Sequence, residues 1–141
     1  MNTNSQNPKT GKDFELAVKA WFECKYDKGF ENNKPLNIGN PPKPHRFDVV
    51  SDDNSIVAEC KCYTWTETGN VPSAKMGFEN EGVFYLSFIH AATTVVVLKK
   101  SVHAKRTETL AEYYFKTNKH LLGLTIVLEY DVEQSIMREI Q

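Results

Sequence analysis

Two apolar runs, Arg46-Phe47-Asp48-Val49-Val50 and Ser55-Ile56-Val57-Ala58-Glu59-Cys60-Lys61-Cys62, are separated only by Ser51-Asp52-Asp53-Asn54. β-Branched residues on either side of a short polar turn spell a hairpin. Val49, Val50, Ile56, Val57 and Ala58 supply apolar side chains to both faces, so the hairpin has to be covered above and below. Such a sheet needs helices on both sides, which points to an α/β architecture. Inside the same runs stand Asp48, Glu59 and Lys61. An ionised group taken out of water without a partner is expensive, so three of them in one covered hairpin call for a use.

The remaining elements follow from periodicity. Met1 to Lys9 is polar and is expected to be a flexible tail, leaving residues 10–141 as a single domain. Thr10 and Asp13 have capping-box spacing, and Phe14, Ala17, Val18, Trp21 and Phe22 recur at helical steps, so a helix is predicted over 13–26. Glu15 lies about 100° around the helix from Phe14 and borders its packed stripe. Pro35 to Ile38 has the look of a short edge strand, whereas Pro41-Pro42-Lys43-Pro44 argues against both helix and central strand. Ser73 is placed to cap a helix running to about Phe88 that buries Val83 and Phe84. Thr93–Leu98 reads as a central strand, Ala104–Leu122 as a helix ended by Gly123, Leu124–Tyr130 as the last strand and Asp131–Gln141 as a short surface helix. The order gives an αβββαβ core: a mixed sheet of four or five strands flanked by helices.

Composition excludes little. The chain has 141 residues, 40% apolar and 25% charged, with a formal charge of −1. That balance neither requires nor forbids nucleic acid, because recognition depends on local field. Positive charge is grouped at Lys25, Lys28, Lys34, Lys43 and Arg46 and again at Lys99, Lys100, Lys105 and Arg106. The longest apolar run, Val83 to Ile89, is too short to span a membrane, and no basic-then-apolar leader precedes the domain, so a cytoplasmic location is expected. Cys60 and Cys62 are too closely spaced for a structural zinc site and read as core thiols. The scattered histidines suggest no nucleophilic triad, and no glycine-rich loop suggests ATP.

Alternation puts Val57, Glu59 and Lys61 on one face of their strand. If Val50 stands opposite Ser55, Asp48 is diagonal to Glu59 on that face, roughly 7–8 Å away at the backbone. Converging from there, two carboxylates can clasp a hard divalent ion such as Mg²⁺, with Mn²⁺ able to substitute and the Cys60 backbone carbonyl as a further oxygen ligand. Glu15 is placed as an outer carboxylate or a ligand for a second ion. The ion would lower the pKa of its water and polarise a phosphoryl group, while Lys61 would position the water or stabilise the charged transition state. In-line attack is expected to leave a 5′-phosphate and a 3′-hydroxyl. The plainer reading is a cross-strand salt bridge on a wet face; the apolar character of both faces weighs against it. The following segment, with Thr64, Ser73 and Lys75, and the earlier Arg46, are candidates to contact substrate phosphates. Trp65 either stacks on a base or anchors its loop, and anchoring is the commoner role.

Helix with Glu15, strand with Asp48, hairpin, then Glu59-Cys60-Lys61: this order resembles the PD-(D/E)XK nuclease superfamily, the restriction-endonuclease-like fold, over about the first 90 residues and loosely thereafter. Phe47 stands where the superfamily's proline would be. The resemblance implies Mg²⁺ held by the aspartate and glutamate, a lysine serving the hydrolytic water and a helix glutamate completing the site: Asp48, Glu59, Lys61 and Glu15. It also implies that Lys75, on the helix after the Glu-x-Lys strand, points back toward the site. The expected function is metal-dependent endonucleolytic cleavage of DNA by a homodimer, since cutting both strands needs two clefts. The alternatives are an exonuclease, a Holliday junction resolvase, or an inert nucleic-acid-binding module on the same scaffold.

Overall fold

A computed structural model describes residues 7–90 and 93–141, the side chains of 7–10 and 74–79 excepted. Its elements are α1 (Asn7–Tyr26), β1 (Phe30–Ile38), β2 (Lys43–Ser51), β3 (Ile56–Lys61), α2 (Ser73–Leu86), β4 (Thr93–Lys99), α3 (Leu110–Asn118) with a 3-10 turn at Lys119–Leu121, β5 (Ile126–Asp131) and β6 (Ile136–Ile140). The strands form one six-stranded mixed sheet in chain order. β1, β2 and β3 are antiparallel neighbours, β3, β4 and β5 run parallel, and β6 returns antiparallel to β5. The α/β class and the covered hairpin are as expected. Among the described residues no helix is long and apolar enough to cross a membrane.

Alternation along the strands feeds two cores. On one face Phe14, Val18 and Phe22 of α1, four residues apart, pack on Val49, Ile56, Ala58, Cys60, Val95 and Val97. On the other, Val83 and Leu86 of α2 and Leu110, Ala111 and Tyr114 of α3 cover Phe47, Val57, Val96, Leu98 and Val127. Burial of side chains from both directions is what the near-continuous apolar strands require.

Several expectations are corrected. α1 starts at Asn7, so Thr10 lies inside the helix and residues 7–9 belong to it; the expected tail otherwise lies outside the described residues. The edge strand is longer than expected because 30–38 pairs with 43–51 at every position except Asn33 and Asp48. Pro44 is tolerated in β2 because the ladder to β3 is confined to Val49 and Val50; at Pro44 the strand has a neighbour on one side only. Residues 104–109 are not helical: α3 begins where Thr109 and Glu112 close a capping box, each side chain bonding the other's backbone N–H. Ser73 does not cap α2, whose N-cap is Pro72, and Phe84 is exposed while Leu86 is buried. The sheet has six strands because residues 136–140, expected to be helical, form β6. A turn with Ser135 at φ 57° folds them back onto β5, and pairing overrides the helix propensity of Glu, Gln, Met and Arg.

Candidate active site: a fork between two strands

The β2–β3 hairpin is tightly closed at its turn. Asp53 accepts hydrogen bonds from Ser51 Oγ (2.8 Å), Ser55 Oγ (2.7 Å), Ser55 N–H (3.1 Å) and Lys28 Nζ (2.9 Å), which hold its carboxyl well below the usual carboxylate range. The pairing is Val50 with Val57 and Val49 with Ala58. This register differs by two residues from the expected one, because 51–55 are all used by the turn. Continued one step, it sets Asp48 against Glu59 rather than diagonal to it.

At that step the ladder stops. Phe47 belongs to the core under α2 and Val49 to the core under α1, so the alternation of β2 breaks at Asp48 between them. The Asp48 side chain lies across the gap, and its Oδ2 accepts the Cys60 N–H at 2.8 Å in place of a backbone carbonyl. A strand residue's C=O leaves on the same side as its N–H, so the Cys60 carbonyl also faces this gap. From here β2 continues with β1 while β3 continues with β4.

The fork opens into a cleft of about 360 Å³ whose walls include His45, Glu59, Lys61 and Tyr85. Glu59 is 5% exposed and projects toward α2, where Gly82 lies over it; a Cβ at Gly82 would stand 3.6 Å from Glu59 Cγ. Lys61, half-buried, is on the same face at the end of β3. His45 stacks on Tyr85 with ring centroids 4.0 Å apart and brings Nε2 to 3.9 Å from Glu59 Oε1. Burial pushes the His45 ring below its ordinary pKa, with Asp48 and Glu81 opposing. Tyr85 is held in turn by its hydroxyl, which donates to Glu81 Oε1 at 3.3 Å.

Glu15 reaches the same place from the opposite face of the sheet. Burial, and then the charge of Asp48, raise its pKa to about 7, with Lys61 and Lys12 opposing. Asn32 fixes the approach: its Nδ2 donates to the Glu15 carbonyl (3.3 Å) and to the Asp48 carbonyl (3.1 Å), tying α1 to β2. The charges of Asp48 and Lys61 are thus felt by Glu15 on the α1 side of the sheet, while Glu59 faces α2.

The expected substrate contacts stand apart from the cleft. Arg46 is exposed on β2, donating Nη1 to the Asn33 carbonyl at 2.8 Å. Thr64 is exposed just beyond β3, and Ser73 is exposed at the start of α2. The Lys75 side chain lies outside the described residues. Trp65 is 5% exposed beneath the Arg106 guanidinium, 4.3 Å from the ring centroid, and its N–H backbone donates to Ser101 Oγ; it anchors its loop. Sequence reasoning missed His45, Tyr85 and Asn32 as parts of the site. His45 was within reach, since it shares the face of Phe47 two residues away. Tyr85 needed the packing of α2 on Glu59, and Asn32 needed the pairing of β1. Compared with protein-family models, curated proteins and solved structures, the chain finds no match in any of the three.

Proposed function

We propose that the chain is a divalent-cation-dependent deoxyribonuclease of the PD-(D/E)XK kind, cutting internal phosphodiester bonds to leave 5′-phosphate and 3′-hydroxyl ends. The observation that carries this reading is the fork: where the β2–β3 ladder ends, Asp48 accepts the Cys60 N–H, and the neighbouring Glu59 and Lys61 stand on the wall of the cleft. The donor set fits a hard cation. It offers carboxylate oxygens and the outward-facing Cys60 carbonyl, and Mg²⁺ is commonly held by one or two carboxylates with water completing its shell. Among the described residues no group of three or more His, Cys, Asp or Glu side chains is arranged to hold a metal ion, so the cation of this proposal would rely on two carboxylates, the Cys60 carbonyl and water.

The roles of the residues follow from position. Asp48 and Glu59 hold the cation, and Glu15 contributes charge from the other face. When bound, the ion supplies Lewis-acid polarisation of the phosphoryl group and a more acidic water. Lys61 donates to the phosphoryl oxygens as charge builds, or orients the attacking water. His45, its basicity lowered by burial, stands beside Glu59 on the cleft wall. Cleavage of both strands of a duplex calls for two such clefts, hence a homodimer.

Supercoiled plasmid incubated with wild type and with Lys61→Ala, with and without Mg²⁺ or Mn²⁺, tests the proposal. Nicked and linear products are expected from the wild type with metal only, with Lys61→Ala slower by about 10²–10⁴-fold. Absence of metal-dependent cleavage on supercoiled, linear and branched DNA would contradict it; products confined to ends or junctions would move the activity to an exonuclease or a resolvase.

A further inference from the structure

Beyond the fork, β1 and β2 form an arm. Their pairing extends from Phe30 opposite Ser51 to Ile38 opposite Lys43, interrupted only at Asn33 (φ 54°) and Asp48, while the β2–β3 ladder ends at Val49 opposite Ala58. The outer part of this ribbon, 34–38 with 43–47, thus projects past the site with no third strand beside β2. One face leans inward: Leu36 and Ile38 pack at the edge of the core, and His45, opposite Leu36, lines the cleft. The other face presents Pro35, Asn37, Pro44 and Arg46, all exposed, and Lys43 is exposed near the tip. From residue 32 to 47 the chain carries Lys34, Lys43, His45 and Arg46 and no acidic residue at all, although acidic residues outnumber basic ones 18 to 17 overall.

We propose that this ribbon is a duplex-gripping arm that lies in a groove of double-stranded DNA and sets the phosphate backbone across the fork. The inference rests on the nuclease reading for the identity of the substrate and adds the element that holds it. A two-stranded antiparallel ribbon has the width that the major groove of B-form DNA admits. Exposed Lys43 and Arg46 supply phosphate contacts, and their position on the strand that also carries Asp48 fixes the distance from grip to cleft. Lys34 takes no part, because it is half-buried with its one ammonium over the carbonyls of Ser51 and Asp52, whereas exposed Arg46 commits only Nη1 to the Asn33 carbonyl and keeps its other guanidinium donors.

Binding measured without catalysis tests the arm. Fluorescence anisotropy of a labelled short duplex and of the corresponding single strand, in EDTA and over a series of salt concentrations, compares wild type, Lys43→Gln/Arg46→Gln and Lys25→Gln. Lys25 is an exposed control at the far end of α1. Expected for the double variant are weaker duplex binding by about tenfold or more at low salt and a slope of log K against log salt shallower by about 1.8, or roughly 0.9 per lost contact. Lys25→Gln is expected to match wild type, and the single strand to be less affected than the duplex. Unchanged affinity and slope, an equal loss on the single strand, or no duplex binding by the wild type would overturn the arm. The two readings separate cleanly: plasmid cleavage with an unchanged slope removes the arm and keeps the nuclease, and a changed slope without metal-dependent cleavage does the reverse.

Discussion

Glu59 and Glu129 form a natural contrast. They lie on the same face of one sheet, two strands apart, and are 5% and 3% exposed. Glu129 is built into the scaffold. Arg138, opposite it on β6, donates Nη2 and Nε to Oε1 at 2.8 and 3.1 Å, and its Nη1 reaches Glu112, which closes the capping box of α3. One guanidinium thus joins β5, β6 and α3, and the fork geometry of Arg suits that task. Glu59 faces a cleft instead, shared with Lys61 and with a His45 ring whose basicity burial lowers. Burial of a carboxylate alone therefore does not mark a site. What separates the two is the ladder: β5 and β6 stay paired past Glu129, whereas β2 and β3 part at Glu59, where the Asp48 side chain takes the Cys60 N–H.

The sharpest way to break this contrast is to neutralise each glutamate in turn. Glu59→Gln, like Asp48→Ala, is expected to reduce metal-dependent cleavage by at least about a thousandfold with the fold intact by circular dichroism. Glu129→Gln is expected to leave turnover unchanged while lowering stability by about 2 kcal/mol in urea titration, a moderate loss because Arg138 is half exposed and remains hydrated. Equal effects of the two substitutions on cleavage would erase the distinction.

A smaller effect concerns Glu15, whose folded pKa of about 7 lies above its ordinary 4.5. The folded protein binds this proton more tightly than the unfolded chain does, so this contribution to stability is full below about pH 4.5 and is lost as pH rises through 7. Glu15→Gln is expected to stabilise the cation-free protein at pH 8 by about 1 kcal/mol, less than the whole shift implies because the fork is open to water, and to flatten the profile between pH 5 and 7. Thermal melts over that range check it; an unchanged slope would remove Glu15 from the site. The smallest effect is at the opposite end of the hairpin. Asp53 is held below its ordinary range, so its stabilisation exists above about pH 4 and fades as acid protonates it. Asp53→Asn is expected to lower the melting temperature slightly at pH 7 and to match wild type in acid, without altering cleavage.

The parts of the molecule governed by local pattern were legible in the sequence. The covered hairpin, the shared face of Glu59 and Lys61, α1 after residue 13 and the β4 strand all follow from two- and three-to-four-residue periodicity. The parts governed by pairing were not. The register slipped by two because Asp53 recruits Ser51 and Ser55 into the turn, a side-chain network that alternation does not reveal. β6 was hidden because its residues favour helix and only β5 makes them a strand. Asp48 was expected on a regularly alternating strand, diagonal to Glu59; the break in alternation between Phe47 and Val49 depends on which core claims each residue. The start of α3 was within reach, since Thr109 and Glu112 carry the capping-box signature that the longer predicted helix ran over.

The central claim is that the carboxylates at the parting of β2 and β3 make a cation site and the equally buried Glu129 does not. Isothermal titration of Mn²⁺ into wild type, Asp48→Ala, Glu59→Gln and Glu129→Gln at neutral pH tests it most directly. The account expects saturable binding by wild type and Glu129→Gln, and its loss in both fork variants. No binding by the wild type, or binding that survives the loss of Asp48 and of Glu59, would contradict it.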